Sequence, residues 1–455
     1  MDGHAFSIRG RQVVVVGAAR SGIAAAELAV RRGARVTLTE ARDRFDGDDR
    51  VRAAGVTLEL GGHQAATIEG ADLIVTSPGV PIDLPVFDLA RRRGVEIIGE
   101  LEFAWRWTSG RVIAVTGTKG KSTTTTLIGR MLAATGADVL VGGNIGTPLS
   151  AQVDRSTPET IHVVEVSSFQ LETTTSFRPW VAVWLNFSAD HLDRHPTLEA
   201  YRSAKARIFA HQTENDWAVL NADDPVVVAE GAATAARRVS FSLAGVLDEG
   251  VVVDGDWIVR RTGTDVERLA PLAAVELTGR HMLSNVLAAS AVAGLAGAGA
   301  RAIEDGLRGF QGVPHAMEPV GRIGHVRFVN DSKATNVEAA RRSIESFDHG
   351  VVAIVGGRFK GGDLRDLRDP LVRHGRAAIA IGESAALVQE ALAGAVPVRV
   401  AVSMQEAVEQ AFEAARPDGV VLLAPACSSF DWFRDYADRG QVFKEEVARL
   451  QARER

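Results

Sequence analysis

Val112-Ile113-Ala114-Val115-Thr116-Gly117-Thr118-Lys119-Gly120-Lys121-Ser122-Thr123 decides how this chain is read. A β-branched apolar run ends in a Gly-rich turn. Lys-Ser-Thr follows, and a helix is expected through about Ala134. Strand, turn, lysine, hydroxyls and helix in that order form a phosphate-binding loop. The turn and the helix N-terminus aim N–H groups at phosphate oxygens. Lys121 would neutralise the β/γ-phosphates and the Ser122 hydroxyl would hold magnesium. The usual spacing is G-x-x-x-x-G-K-[ST], and here Val115 stands at the first Gly position. A Gly-rich turn without a ligand is the alternative reading.

Downstream, a second Gly-rich turn, Gly142-Gly143-Asn144-Ile145-Gly146, precedes the strand Ile161-His162-Val163-Val164-Glu165. An acid at a strand end after a phosphate loop is where a nucleotide's magnesium finds a carboxylate, so Glu165 is a metal candidate. The strand Val181–Asn186 leads into Asp190-His191-Leu192-Asp193-Arg194-His195, a polar cluster at a strand's carboxyl end. A helix over about 198–209 carries Leu198, Tyr201, Ala204, Ile208 and Phe209 as its apolar stripe. Lys205 falls within that stripe. Either it snorkels at the margin, or it is buried for chemistry with a depressed pKa. A neutral amine could also take up carbon dioxide as a carbamate, which makes an anionic metal ligand. Asp223 and Asp224 end a further strand, and residues 238–276 alternate apolar and polar as short antiparallel strands. Asn285 lies in the first turns of an Ala-rich helix.

Upstream, residues 12–40 read as strand, Gly turn, helix, strand, which is Rossmann-like. Ala19 replaces the second Gly of G-x-G-x-x-G, which weakens an NAD reading and leaves room for another nucleotide-bearing ligand. Glu40 ends the second strand, where an acid could accept from a ribose or a uracil-type N–H. Ala71–Thr76 is a strand ending in Ser77-Pro78-Gly79, and Thr108-Ser109-Gly110 looks like a linker. In the last third, strands end in Asp331-Ser332-Lys333-Ala334-Thr335, in Gly356–Asp363 with Lys360, and in Pro425–Asp431 with Ser429. Their convergence would make a second anion-binding face. Cys427 lacks a neighbouring base and reads as packing.

Composition sets outer bounds. The 455 residues suggest about three domains. A net charge of −6 gives no general attraction to nucleic acid or anionic membrane. One cysteine fits a reducing compartment. Neither a signal peptide nor an apolar run of ~18 residues is evident, so a cytoplasmic protein without membrane insertion is expected.

These segments together resemble the Mur ligases. The carriers are TGTKGKSTTTT (116–126), GGNIG (142–146), EVSSFQLE (165–172), DHLDRH (190–195), YRSAKARIF (201–209), NDSKATN (330–336) and APACSSFDWF (424–433) with Arg439-Gly440. The first group is shared with folylpolyglutamate synthases. SSFQLE, NDSKATN and PACSSFD point to the branch that adds D-glutamate.

The resemblance implies an α/β protein of three domains. Residues 1–108 would be a Rossmann-like UDP-sugar-binding domain. Residues 109–312 would be a central P-loop ATPase-type domain, and 313–455 a Rossmann-like domain for the amino acid. It implies a monomeric ligase joining D-glutamate to UDP-N-acetylmuramoyl-L-alanine through an acyl phosphate, with ATP and Mg2+. By the motif matches Gly117, Thr118, Lys119, Gly120, Lys121, Ser122, Thr123, Asn285, Asp331 and Lys333 would bind ATP. Ser122 and Glu165 would hold one magnesium, and His191 with carbamylated Lys205 a second. Glu40, Ser77, Pro78, Gly79 and Asn144 would contact the UDP-substrate. Lys333, Thr335, Lys360, Ser429 and Tyr436 would surround D-glutamate. Lys121, His191, Lys205 and His315 would be catalytic, and ATP bridging two domains would close them. Five departures from the family pattern, at Glu40, Ala189, Met282, Ala316 and Arg358-Phe359, bear on nucleotide affinity more than on reaction type. A sister ligase with another amino acid, an NAD-dependent oxidoreductase using residues 12–40, and a non-catalytic nucleotide-binding regulator are the competing readings.

Overall fold

The computed structural model describes residues 6–45, 47–190, 194–245, 247–277 and 280–454. The fold is α/β, with three sheets. The chain divides into two compact units, Met1–Phe310 and Gln311–Arg455.

The first unit opens with β1 (Gln12–Val16), β2 (Arg35–Glu40), β3 (Thr57–Leu60), β4 (Leu73–Thr76) and β5 (Glu96–Gly99), all parallel in the order β3-β2-β1-β4-β5. The order reverses between β1 and β4, so Gly17 and the Ser77-Pro78-Gly79 turn meet at a switch point. A Cβ on Gly17 would lie 2.7 Å from Val80 Cγ2, and Gly17 has φ +95°. Only glycine fits that crossing without strain.

The second sheet holds β6 (Arg111–Thr116), β7 (Val139–Gly143), β8 (Ile161–Glu165), β9 (Val181–Trp184) and β10 (Trp217–Asn221). It continues with β11 (Arg237–Ser242), β12 (Glu249–Asp254), β13 (Trp257–Thr262) and β14 (Asp265–Pro271). Its order is β14-β13-β12-β11-β10-β9-β6-β8-β7. The β6 run is buried from Val112 onward, as a strand covered by helices on both faces must be. Residues 238–276 do not form an all-antiparallel set. β11 runs parallel to β10, because the helix Pro225–Gly231 carries the chain back across the sheet, and β12 pairs parallel to β11. Only β12, β13 and β14 meander antiparallel.

One continuous apolar cluster joins the two sheets of this unit, from Val13 and Leu28 through Phe103 to Trp184 and Ile208. Two buried acids fasten the joint. Glu102 accepts from the backbone N–H groups of Thr175, Ser176 and Phe177 at 3.0, 3.0 and 2.9 Å, and pairs with Arg106 at 3.0 Å. Glu100 accepts from Ser150 N–H at 2.7 Å. The expected linker is pinned as well: Ser156 Oγ accepts from Ser109 and Gly110 N–H, each at 3.1 Å, and meets His162 Nε2 at 2.8 Å. Burial drives the His162 pKa down to about 4, so the ring stays neutral.

The second unit has β15 (Glu318–Ile323), β16 (Val326–Asn330), β17 (Val351–Gly356), β18 (Gly375–Ile381), β19 (Val398–Val400) and β20 (Val420–Leu423). The order is β15-β16-β20-β17-β18-β19, parallel except for the β15/β16 hairpin. Apolar clusters cover both faces of this sheet. Among the described residues, no helix is long and apolar enough to cross a membrane.

Glu102→Ala should destabilise the first unit by about 3 kcal/mol, because it strands three backbone donors and half of a buried ion pair. Urea unfolding followed by tryptophan fluorescence checks this. A loss below about 0.5 kcal/mol, the range of an ordinary surface substitution, would contradict the fastening role.

Candidate active site

The phosphate-loop reading places a Gly-rich turn between a strand and a helix, and the structure has it there, after β6, which lies between β8 and β9 in the sheet. The helix it opens spans Lys121–Ala133, and no side chain caps it. Its first turn therefore presents the N–H groups of Lys121, Ser122 and Thr123 at a helix start without a side-chain cap. Gly120 sits at φ +85°, and a Cβ there would fall 2.2 Å from Asn285 Oδ1. Asn285, expected to hold nucleotide, thus lies directly against the loop. Asn285 Nδ2 donates to Met282 Sδ at 3.8 Å.

Lys121 Nζ donates to the carbonyls of Gly117 and Thr118 at 3.1 and 3.0 Å. Lys205 Nζ donates to the same Gly117 carbonyl at 2.9 Å. Lys205 is 1% exposed, which settles the choice between snorkelling and burial. Its pKa lies well below the ordinary lysine value, first through burial and then through the charge of Lys121, with Asp190 and Glu165 opposing in part. The helix here is Leu198–Ala206, continued by a 3-10 turn to Phe209. Leu198 is 44% exposed and drops out of the expected stripe, since it is the first residue of the helix. Tyr201 is buried, with its ring 4.7 Å from Lys205 Nζ and its hydroxyl 3.4 Å from Thr118 Oγ1.

The two expected metal ligands meet. Ser122 Oγ donates to Glu165 Oε2 at 2.6 Å, and Asn144 Nδ2 donates to Glu165 Oε1 at 2.8 Å. Asn144, assigned to the UDP-substrate, thus shares Glu165 with the phosphate loop. Gly143, at φ +96°, brings Asn144 there, and a Cβ on it would lie 2.5 Å from Glu165 O. His191 lies outside the described residues. Among the described residues no group of three His, Cys, Asp or Glu side chains is arranged for a metal.

At the first sheet's switch point, Glu40 is engaged. It accepts from Ala18 N–H at 2.7 Å and pairs with Arg42 at 3.0 Å. Ser77 is buried beneath Gly17. Arg194 joins this region to the central one: it reaches the Gly79 and Val80 carbonyls at 3.4 and 3.0 Å and Glu172 at 3.1 Å. Neither Arg194 nor Asn186, whose Oδ1 accepts from the Thr118 and Lys119 N–H groups, stands out in the sequence as more than a loop residue and a strand end.

In the second unit, β16, β20 and β17 are neighbours, so their three loops adjoin as expected. Arg358 and Ser428 exchange backbone hydrogen bonds at 2.9 and 3.1 Å, and Ala426 N–H donates to Ala334 O at 3.0 Å. Thr335 N–H donates to the Lys333 carbonyl at 2.8 Å, Lys360 Nζ lies 5.8 Å from the Phe430 ring, and Ser429 is buried. Asp331 is taken up within the fold, accepting from Met317 N–H at 3.1 Å and from the Ser343 hydroxyl. His315 has φ +62° and stands edge-on to Tyr436 at 6.4 Å. Its carbonyl accepts from Lys333 N–H at 2.9 Å. Burial lowers the His315 pKa, against the pull of Glu318. Cys427 is buried 3.4 Å from Ser384 Oγ, and burial raises its thiol pKa.

The Mur ligase middle domain matches residues 115–293, the Mur ligase MurD-like N-terminal domain residues 11–99, and the Mur ligase glutamate ligase domain residues 317–427. A UDP-N-acetylmuramoylalanine--D-glutamate ligase of Acidobacterium capsulatum is 46% identical over 97% of this chain and 97% of its own. That of Pelotomaculum thermopropionicum is 43% identical over 97% and 98%. The chain belongs to the Mur ligase family. Among solved structures, a UDP-N-acetylmuramate-alanine ligase from Thermotoga maritima covers 97% of this Mur ligase and 100% of its own chain, at TM-score 0.54 and 18% identity. That similarity concerns the fold. A family of ligases does not favour the oxidoreductase reading of residues 12–40.

Glu40 allows a pH test. Burial works to raise its pKa, but hydrogen bonds from Arg42 and from Ala18 N–H bring it from 4.5 down to about 2. A depressed folded pKa contributes stability that is complete above 4.5 and is lost as pH falls toward 2. In a carbon-detected titration, Arg42→Ala should raise the Glu40 pKa by about one unit or more. A value near 4.5 in the unsubstituted protein would contradict the pairing.

Proposed function

We propose that this Mur ligase joins D-glutamate to UDP-N-acetylmuramoyl-L-alanine, using ATP, in peptidoglycan precursor synthesis in the cytoplasm. The observation that carries the reading is the convergence of Lys121 and buried Lys205 on the Gly117 carbonyl, beside the Ser122–Glu165 pair. The amino acid and the acceptor come from the names of relatives that match along nearly the whole chain. Residues 1–108 would hold the UDP-sugar, 109–312 ATP, and 313–455 the amino acid.

A carboxylate does not expel oxide, so the acceptor's carboxylate oxygen attacks the γ-phosphorus of ATP and ADP leaves. The resulting acyl phosphate carries a good leaving group. The D-glutamate amine adds to its carbonyl carbon, and the tetrahedral intermediate expels phosphate to leave the amide. Both steps bring anions together, so the site must screen charge before it can orient atoms. Lys121 and the uncapped first-turn amides do this for the phosphates. The hydroxyl of Ser122 and the buried carboxyl of Glu165 are oxygen donors of the type magnesium takes. Bound there, magnesium would further neutralise the phosphoryl oxygens.

Burial favours the uncharged form of Lys205, whose Nζ electron pair can capture carbon dioxide as a carbamate. Lys205 would then present an anion, with His191, toward a second magnesium. Glu40, Ser77, Pro78, Gly79 and Asn144 would contact the UDP-sugar. Asn285, Asp331 and Lys333 would contact the nucleotide. Lys333, Thr335, Lys360, Ser429 and Tyr436 would bind D-glutamate, and His315 would position reactants.

Phosphate release from ATP in the presence of UDP-N-acetylmuramoyl-L-alanine should depend on D-glutamate among a panel of amino acids. Release with a different amino acid would overturn the substrate assignment and leave the mechanism. Lys205→Ala should lose at least about 100-fold in kcat, the order expected when a group that stabilises transition-state charge is removed. Short carboxylic acids should restore part of the loss. Near-normal turnover in that variant would remove the metal-ligand role.

A further inference from the structure

In a phosphate loop every turn amide counts as a donor to the anion. Here two of them are already committed. Thr118 N–H donates to both Oδ1 and the backbone carbonyl of Asn186, at 3.1 Å each, and Lys119 N–H donates to Asn186 Oδ1 at 2.9 Å. Asn186 Nδ2 returns a bond to the Lys119 carbonyl at 3.0 Å. The amide thus uses its acceptor and a donor on the same two peptide units, a match that neither aspartate nor alanine can reproduce.

Asn186 is itself held from behind. Trp184 Nε1 donates to its carbonyl at 3.1 Å, and Trp184 is fully buried. Thr116 and Trp184 are paired partners on β6 and β9, and Leu185 N–H donates to Thr116 O at 3.0 Å. The turn then crosses directly over this segment: a Cβ on Gly117 would lie 3.0 Å from Leu185 Cβ and 3.4 Å from Asn186 N. Thr118 Oγ1 adds an anchor one residue further on, donating to Ser188 O at 3.2 Å and accepting from Ser188 N–H at 3.1 Å.

We propose that Asn186 is a positioning residue for the nucleotide. It turns the Thr118 and Lys119 amides away from the phosphates, so that the anion is met by the first-turn amides of Lys121, Ser122 and Thr123 with the Lys121 side chain. The inference rests on the nucleotide-loop reading of residues 116–123 and goes beyond it in assigning which donors face the ligand and what sets them.

Residue-resolved amide hydrogen exchange, with and without ADP and magnesium, tests it on the unaltered protein. Thr118 and Lys119 should be protected before nucleotide is added and should change by less than about two-fold on its addition. Lys121, Ser122 and Thr123 should gain about ten-fold or more. A comparable gain at Thr118 and Lys119 would overturn the clamp while leaving the nucleotide loop intact. No change at any amide from 117 to 123 would overturn both. In Asn186→Ala, exchange at 118 and 119 should quicken about ten-fold, and KM for ATP should rise about ten-fold. The values of kcat and of KM for the other two substrates should stay within about two-fold, as for lost uniform binding. An unchanged KM for ATP, or three KM values rising together, would contradict a positioning role.

Discussion

Two lysine side chains on one carbonyl oxygen is the constraint from which the active-site arrangement follows. Lys121 and Lys205 both donate to the Gly117 carbonyl, and both cannot remain charged at low cost out of water. Lys121 sits at a helix N-terminus, where a phosphate would be its counter-ion. Lys205 is sealed between Tyr201 and the loop, so burial and the neighbouring Lys121 charge press its pKa well below the ordinary lysine value. Lys121 would thereby serve the nucleotide's charge, while burial favours the uncharged amine at Lys205. That division of labour needs the carbonyl in a fixed place, and the glycine at 117 with the β6–β9 pairing provides it.

Glu165 extends the same logic across the sheet. It ends β8, next to β6, so its carboxyl reaches Ser122 on the nucleotide side and Asn144 on the other. A single acid then reports on both the phosphate loop and the Gly-rich turn after β7. The second connection runs through Arg194, which ties the turn after β4 to Glu172. The first unit is therefore one continuous body: its two sheets share a core, and the buried acids Glu100 and Glu102 close the joint between them. Glu102 offsets its burial by drawing on three consecutive backbone amides, whereas among the described residues Glu100 Oε2 has no donor and burial raises that acid's pKa.

What could be read from the sequence was local. The order apolar run, Gly turn, Lys-Ser-Thr located the loop, and helical spacing placed Lys205 inside an apolar stripe, because period and propensity act over a few residues. Strand-end loops in the last third were legible as loops, and their adjacency followed from the rule that ligands gather at strand carboxyl ends. What escaped depended on contacts far apart along the chain. The parallel pairing of β11 is decided by the crossover helix before it, while alternation of side chains is the same for either strand direction. The roles of Asn186, Arg194 and Glu102 each rest on partners 67 to 115 residues away or on a buried surface formed only after the sheets meet.

The departures from the family pattern acquire a physical meaning at this level. Met282 removes an amide, yet its thioether sulfur accepts from Asn285 Nδ2 and so still orients that side chain. With Nδ2 engaged there, Asn285 Oδ1 is the atom left facing Gly120, and it lies where any side chain on residue 120 would have to go. Glu40 has one methylene more than aspartate, and the carboxylate spans the Ala18 amide and the Arg42 guanidinium at once. Ala316 sits between two residues of positive φ, His315 and Met317, in a turn closed by its own N–H on Val313 O. These three changes fall where backbone or a neighbouring side chain already fixes the geometry.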